Sequence, residues 1–450
     1  MLRRKIEKDI LSWIDTGDRA LALYGVGGCG KTFIIRECLR KRDCDWAEFN
    51  LIRQKGVVDI LRDASTVDDL ILRLSLFSGK KITPGKTIIF FDEIQKYKEI
   101  VTRIKFLVED KRFRYILSGP LLGVEITNIT SAPAGYLETL TLYPLDFEEF
   151  LQVFNVDEKI VDSLRSSYKN ETPVDEVIHK RMLEIFSLYL IIGGMPAAVE
   201  EYSTTGDIDR VMKIHKAVIE RYRLDFTQYE SEDGKLMIRD IYDRIPSELN
   251  EKNKRFRIAD LGKSLRYDRV ENSFVPLVRS GAALKVTNTT EPTVPLMLKE
   301  KNSLFKLFLS DVGLLSTIYG RMCKLRIVSG EGDRARGAVY ENVVAQELTA
   351  HGCRPCYYNS RKKGELDFVI EQEGKALPIE VKSGKDYERH SALDNVLEIS
   401  EYGIDKAVVL SPGNVKRDGK LVYLPVYMVM FLSDNPEWTY DISPARFSFS

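Results

Sequence analysis

The stretch LALYGVGGCGKTFII, Leu21 to Ile35, sets a short apolar run against a glycine-rich loop, and a second apolar run follows a lysine and a threonine. Leu21 to Tyr24 has the length and apolarity of a buried parallel strand feeding a tight turn. The spacing of Gly25, Gly30, Lys31 and Thr32 fits G-x-x-x-x-G-K-[ST], with a helix expected to begin near Lys31. Glycines there let backbone N–H groups wrap a β-phosphate, and the helix N-terminus adds partial positive charge. Lys31 is placed to neutralise β and γ oxygens, and Thr32 to ligate Mg²⁺. The expected nucleotide contacts are Gly25, Gly27, Gly28, Cys29, Gly30, Lys31, Thr32 and Phe33, with ATP and Mg²⁺ as cofactors. No Asn-Lys-x-Asp base-reading motif argues for GTP instead.

The complementary acid lies about sixty residues on, in KTIIFFDEIQK. Ile88 to Phe91 are continuously apolar, as in a strand buried on both faces. Asp92 and Glu93 emerge at its carboxyl end, which in an open parallel sheet faces the same crevice as the glycine loop. Asp92 is expected to hold Mg²⁺ through water, and Glu93 to polarise the attacking water. A third strand, RYILSGP, ends in Ser118, which reads either as a contact to the γ-phosphate or water or as a turn cap. Further strand and helix signals, at WAEFNL and over Val57 to Phe77, complete an alternating α/β domain.

From Glu138 the pattern changes to a short strand, a proline break and then mostly helical spacing to residue 226. LIIGGMPAAV, 190 to 199, marks a turn between helices. Between 235 and 290 the reading is a short helix from Ile258 to Leu265, a turn at Tyr267 and Asp268, a helix to about Arg279 and an extended segment. That order resembles a winged helix-turn-helix, whose second helix would enter a major groove. The basic run KNKRFR, 252 to 257, would either meet phosphates or form a solvated charged face.

The last 120 residues hold a second set of carboxylates. GAVYENVVAQEL starts a helix near residue 337 that carries Glu341. GELDFVIEQEGKALPIEVKSG reads as a hairpin with Asp367 in its first strand and Glu380 and Lys382 two apart in the second, hence on one face. Asp367 and Glu380 could share a divalent ion, and Lys382 could orient or deprotonate a water. The pattern resembles that of the PD-(D/E)xK nuclease fold; the same residues could also form a salt-bridge ladder, or serve binding without cleavage. Val408 to Ser411 and Leu421 to Pro425 are expected as further strands.

Length and composition bound the rest. At 450 residues, with 44% hydrophobic and 30% charged residues, the chain suits about three soluble domains. Lys plus Arg equals Asp plus Glu at 67 each, so nucleic-acid binding would come from local patches rather than net charge. No apolar run reaches the roughly 18 to 20 residues of a membrane span, and no signal-peptide block opens the chain, so a cytoplasmic protein without a membrane partner is expected. Six cysteines do not make a disulfide framework, and the CRPC at 353 to 356 reads as a turn.

Taken in order, GVGGCGKT, IIFFDEIQK, YPLDFEEFL, GGMPAAV, KLFLSDVGLL, GAVYENVVAQEL and ELDFVI…PIEVKSG resemble a family of bacterial and archaeal AAA-type ATPases, over nearly the whole length. Its members join a P-loop domain to a winged-helix region and a C-terminal nuclease-like domain. The resemblance implies an α/β multidomain chain: a P-loop parallel sheet (1–145), a helical lid (146–230), a winged helix-turn-helix (231–318) and a restriction-endonuclease-like α/β domain (319–450). It assigns ATP and Mg²⁺ chemistry to Lys31, Thr32, Asp92, Glu93 and Ser118, and the nuclease-like set to Glu341, Asp367, Glu380 and Lys382. DNA is the implied partner; no oligomeric state is specified. Two departures stand out: the loop has Gly25-Val26-Gly27 where the family commonly has Gly-Pro-Arg, and Tyr136 stands where an arginine is usual. No arginine lies between Arg114 and Arg165, so none is identified for the γ-phosphate and slow turnover is expected. The alternative reading is a slow nucleotide-controlled switch or scaffold whose C-terminal domain binds a protein.

Overall fold

A computed structural model describes residues 3–97, 99–120, 135–226, 232–262, 267–331 and 334–434. Helix α1 (Glu7–Thr16) precedes five strands, β1 (Ala20–Tyr24), β2 (Asp45–Asn50), β3 (Thr87–Asp92), β4 (Arg114–Gly119) and β5 (Leu137–Thr141). Between them run α2 (Lys31–Lys41), α3 (Lys55–Asp63), α4 (Val67–Ser78) and α5 (Ile100–Glu109). The strands form one sheet in the order β2-β3-β4-β1-β5, every pairing parallel. Alternate side chains serve two cores. Leu21, Leu23, Ile88, Phe90 and Ile116 face one, while Ala20, Ala22, Ile89, Phe91 and Leu117 face the other. Coverage on both faces accounts for the unbroken apolar runs that signal these strands in the sequence.

A helical unit follows. After α6 (Phe147–Phe150), opened by an Asp146–Glu149 capping box, come α7 (Glu158–Asn170), α8 (Glu176–Ile192), α9 (Pro196–Thr205), α10 (Ile208–Phe226) and α11 (Glu232–Asn250). The GGMP turn falls between α8 and α9, as its glycines and proline predict. Its glycines are packing requirements. A Cβ on Gly194 would stand 2.0 Å from the Leu145 carbonyl oxygen, and one on Gly193 2.3 Å from Asp311 Oδ1.

The region expected as a winged helix departs from its reading. Of the helix expected over Ile258 to Leu265, residues Ile258–Asp260 make a single 3₁₀ turn, and residues 263–266 lie outside the described residues. Tyr267 and Asp268 open α12 (Tyr267–Arg279) instead of forming a turn before it. The extended segment is β6 (Ala283–Thr289), paired antiparallel with β7 (Glu300–Leu309). These two strands do not stand apart as a wing. They continue an eight-stranded mixed sheet with β8 (Cys356–Ser360), β9 (Gly364–Gln372), β10 (Lys375–Val381), β11 (Ala407–Ser411), β12 (Lys416–Asp418) and β13 (Leu421–Pro425), in the order β12-β13-β11-β10-β9-β8-β6-β7. The expected boundary at 318/319 therefore cuts across a continuous sheet. Helices α13 (Val312–Ile318), α14 (Arg321–Ser329), α15 (Arg334–Ala350) and α16 (Ser391–Leu397) complete this part.

One hydrophobic cluster runs from α1 and the P-loop sheet through α8–α11 to α15 and the second sheet. The pieces share a core and are not beads on linkers. Among the described residues, no helix is long and apolar enough to cross a membrane.

Candidate functional site

The carboxyl ends of β1, β4 and β3 lie side by side because β4 is inserted between the other two. This brings Gly25, Ser118 and Asp92 to one edge, where α2 begins. Gly25, Gly28 and Gly30 have φ of 146°, 84° and 99°, the region that favours glycine. A Cβ on Gly25 would lie 2.1 Å from the Leu142 carbonyl oxygen, so that position has no room for a side chain. Lys31 Nζ folds back onto the loop and donates to the carbonyls of Gly25 at 2.8 Å and Val26 at 3.0 Å. Those are the bonds a phosphate would exchange for its own oxygens.

Asp92 is the hub of the acidic side. Thr32 Oγ1 lies 3.1 Å from both of its carboxylate oxygens, Ser118 Oγ donates to Oδ1, and Asn50 Nδ2 donates to Oδ2 at 2.8 Å. Ser118 is fully buried and spends its hydroxyl on Asp92, so it orients the carboxylate directly. Glu93 follows in a left-handed conformation (φ 58°, ψ 45°), a costly backbone state for a glutamate, and Gln95 Nε2 donates to its Oε2 at 2.6 Å. These groups open on a cavity of about 500 Å³ lined by Gly27, Gly28, Gly30, Lys31, Thr32, Phe33, Asp92 and Glu93. That is within the size range of ligand pockets. Cys29 is buried beneath the loop rather than lining it. The hydroxyl of Thr32 and the carboxylate of Asp92 are the oxygen donors that would hold a Mg²⁺ ion here.

Several contributors had no signal in the sequence. Asn50 ends β2 and bridges three groups: besides donating to Asp92, its Oδ1 accepts from the backbone N–H of Ile52 at 3.1 Å and Arg53 at 2.9 Å. Arg36, Arg53 and Arg221 line the cavity, supplying positive charge that the arginine-free stretch after Arg114 lacks. Arg36 is already paired with Glu48 at 2.5 Å. Arg221 comes from α10, some 190 residues from the loop in sequence, and is 3.5 Å from Asp225. Its neighbour Tyr222 donates to the Gly27 carbonyl at 2.8 Å, tying the helical unit to the glycine loop. From the other side Met195 Cε would lie 3.2 Å from a Cβ on Gly28, and Pro196 Cγ 3.7 Å from one on Gly30.

The second carboxylate set is gathered on α15, β9 and β10. The β9–β10 ladder ends at Ile379 opposite Phe368, and beyond it Asp367 Oδ2 takes over as acceptor for the Val381 N–H at 2.8 Å. Glu380 pairs with Lys382, Nζ to Oε1 2.7 Å. Burial first, and then the Asp367 charge, push the Glu380 carboxyl up to about 8, against the opposing pull of Lys382. Glu341 is likewise raised by burial and by Asp367. Two lysines that the sequence did not single out join the set. Lys254 pairs with Glu341, and Lys306, wholly buried on β7, lies 2.6 Å from Glu365 in a charge contact without hydrogen-bond alignment. Burial alone would lower Lys306, but Glu341, Glu365 and Asp367 outweigh it and hold it raised. Among the described residues, no group of three or more His, Cys, Asp or Glu side chains is arranged to hold a metal ion.

Residues 17–151 match the model of an AAA domain, while 183–323 and 336–428 match two models described as domains of unknown function, DUF8612 and DUF4143. No curated protein matches the chain. Among solved structures, the Walker-type ATPase PABY2304 of Pyrococcus abyssi is 17% identical, with 71% of this chain and 96% of that one covered at a TM-score of 0.42. The ORC1 protein of Aeropyrum pernix in complex with DNA is 14% identical (73% and 92% covered, TM-score 0.26). The RuvB Holliday junction branch migration motor of Thermotoga maritima is 12% identical (63% and 89% covered, TM-score 0.28). The family match and the sheet agree that the N-terminal region is an AAA-type P-loop domain.

Proposed function

We propose that the chain binds and hydrolyses ATP in the cavity between β1, β3 and α2, and uses the nucleotide state to reset how the helical unit and the C-terminal sheet are held, with DNA as the object of that motion. The observation that carries the reading is the convergence of Thr32, Asn50 and Ser118 on Asp92, beside Lys31 and a cavity of nucleotide size. Bound Mg²⁺ would supply charge neutralisation between the β- and γ-phosphates. The chain's own residues do the rest. Loop N–H groups and Lys31 bind the phosphates, Thr32 and Asp92 hold the metal's position, and Glu93 orients and deprotonates the attacking water.

Coupling follows from contact. The phosphate loop is gripped by Tyr222 and Met195 of the helical unit, and the GGMP turn that carries Met195 is held in turn by Asp311, whose Oδ2 accepts from Gly194 N–H at 2.6 Å. Replacing the Lys31–carbonyl bonds with phosphate contacts changes the loop that these residues touch. Within this proposal the units are the P-loop domain to residue 145, a lid over 146–230, a region over 231–318 in which α12 is the helix read as entering a major groove while β6 and β7 belong to the second sheet, and a nuclease-like region over 319–450 that continues that sheet.

DNA binding in the presence of ATP, ADP and no nucleotide tests the reading, with fluorescently labelled duplex and the Lys31→Ala chain as reference. The proposal expects nucleotide-dependent affinity that Lys31→Ala abolishes; affinity indifferent to nucleotide refutes the DNA half. The switch alternative, in which the C-terminal region binds a protein without cleaving nucleic acid, is favoured by one observation: Lys254, Lys306 and Lys382 are paired with the carboxylates of that region.

A further inference from the structure

The basic run 252 to 257 is read from sequence as a face for phosphates or solvent, and Lys254 serves neither. Its side chain, 21% exposed, turns inward and pairs with Glu341 Oε1. The segment that carries it is anchored. Phe256 donates its N–H to the Phe305 carbonyl at 2.9 Å and stacks on the Phe305 ring at 5.8 Å, and Arg257 lies 3.4 Å from Asp260 and 3.6 Å from Glu248.

What Lys254 enters is a polar space with unmet demand. Glu341 is 4% exposed and Glu380 7%, and the Oε2 atom of each is buried with no hydrogen-bond partner. Buried carboxylate oxygens of this kind call for a cation, a proton donor or water. Around them the carboxylates of Glu341, Glu365, Asp367 and Glu380 face the ammonium groups of Lys254, Lys306 and Lys382. Lys382 belongs to the Glu-x-Lys pattern, and Lys306 pairs outside the set, with Glu365. Among the described residues, Lys254 is the lysine of a distant segment that forms an ion pair with a carboxylate of the set itself.

We propose that the Lys254 ammonium is a tethered cation standing in the place of a divalent metal ion among Glu341, Asp367 and Glu380, so that this site takes no Mg²⁺ or Mn²⁺ while Lys254 is seated. With Lys254 in place, Glu341 Oε1 is consumed and the four carboxyl groups are met by three ammonium groups. Without it, the pocket gains one unit of negative charge and a free, pre-placed oxygen. A unit charge a few ångströms from a divalent ion is a strong repulsion even at protein-like dielectric. The inference deepens the reading of the C-terminal carboxylates, on which it rests, and metal binding is read separately from nucleotide-dependent DNA binding, so either can fail alone.

The test is Mn²⁺ binding to the full, nucleotide-free chain, by isothermal titration and by loss of the free-ion paramagnetic resonance signal. Wild type, Lys254→Met, Lys254→Arg, Glu380→Gln and the Lys254→Met/Glu380→Gln double variant are compared, with thermal melts to check folding. Lys254→Met should gain one Mn²⁺ site at least about tenfold tighter than anything wild type shows there. Lys254→Arg should not gain it, and the double variant should lose it. Equal binding by wild type and Lys254→Met overturns the proposal. Should Lys254→Met fail to fold, wild type against Glu380→Gln still decides: no difference in Mn²⁺ bound supports the tethered cation, and a wild-type site lost in Glu380→Gln refutes it.

Discussion

Asn50 offers a sharp probe of the nucleotide site, because it acts on both of its faces at once. Its amide nitrogen donates to Asp92 Oδ2 at 2.8 Å, while its amide oxygen holds the N–H groups of Ile52 and Arg53. Asn50→Asp keeps an acceptor for the two N–H groups and replaces the donor with a second carboxylate beside Asp92. A hydrogen bond to a charged partner contributes about 1.5–3 kcal/mol, and Asn50→Ala forfeits that much orientation of Asp92. Two like charges about 4 Å apart repel by about 4 kcal/mol at an effective dielectric near 20. Steady-state phosphate release, titrated with both ATP and Mg²⁺, should therefore fall roughly 10- to 100-fold in kcat/KM for Asn50→Ala and further for Asn50→Asp. Asn50→Asp should also shift its Mg²⁺ requirement, since the added carboxylate competes for the ion. Unchanged kcat and Mg²⁺ dependence in both variants would refute the claim that Asn50 positions Asp92.

Arg221→Ala should lower kcat at least about tenfold with a smaller change in nucleotide affinity, measured by phosphate release and by fluorescent-nucleotide binding; the half-exposed side chain (52%) can reach charge that develops only during reaction. Gly194→Ala puts a Cβ 2.0 Å from the Leu145 carbonyl oxygen, a backbone atom fixed by its own bonds, and should destabilise the chain by about 3 kcal/mol or more in urea unfolding. Glu347 is held by the Phe147 N–H and the Tyr189 hydroxyl, and burial first, then Asp146, raise it from 4.5 to about 7. The folded chain then keeps a proton that the unfolded chain has lost, so stability falls as pH rises from about 4.5 to 7. Relative to Glu347→Gln, wild type should lose on the order of 3 kcal/mol across that window, read from denaturation midpoints at several pH values; parallel profiles would count against it.

The candidate nucleotide site was legible where its residues are local in sequence. A strand, a glycine loop and a helix start lie within fifteen residues, and the acidic strand end follows the same rule, and Lys31, Thr32, Asp92 and Glu93 line one cavity. Asn50 and Arg221 were not legible, because nothing at position 50 or 221 marks which strand or helix will bring it to the cavity. GGMPAAV could be read as a turn, but the reason for its glycines lies in Leu145 and Asp311, which occupy the space a side chain would need. The second sheet misled for a related reason. Only an extended segment is read after Arg279, and such a segment looks the same in sequence whether it stays a wing or, as here, pairs with a strand nearly seventy residues on. Lys254 looked like surface charge because a lysine in a basic run gives no sign of the buried glutamate it meets.

The central claim is that Lys31, Asp92 and Glu93 form a working ATPase site, and single-turnover hydrolysis of ATP by the full chain tests it most directly. Wild type should bind MgATP and release phosphate, Glu93→Gln should bind it with near-wild-type affinity yet turn over at least about a hundredfold more slowly, and Lys31→Ala should do neither. A Glu93→Gln chain that hydrolyses ATP at the wild-type rate, or a wild-type chain that binds no MgATP, would contradict the account.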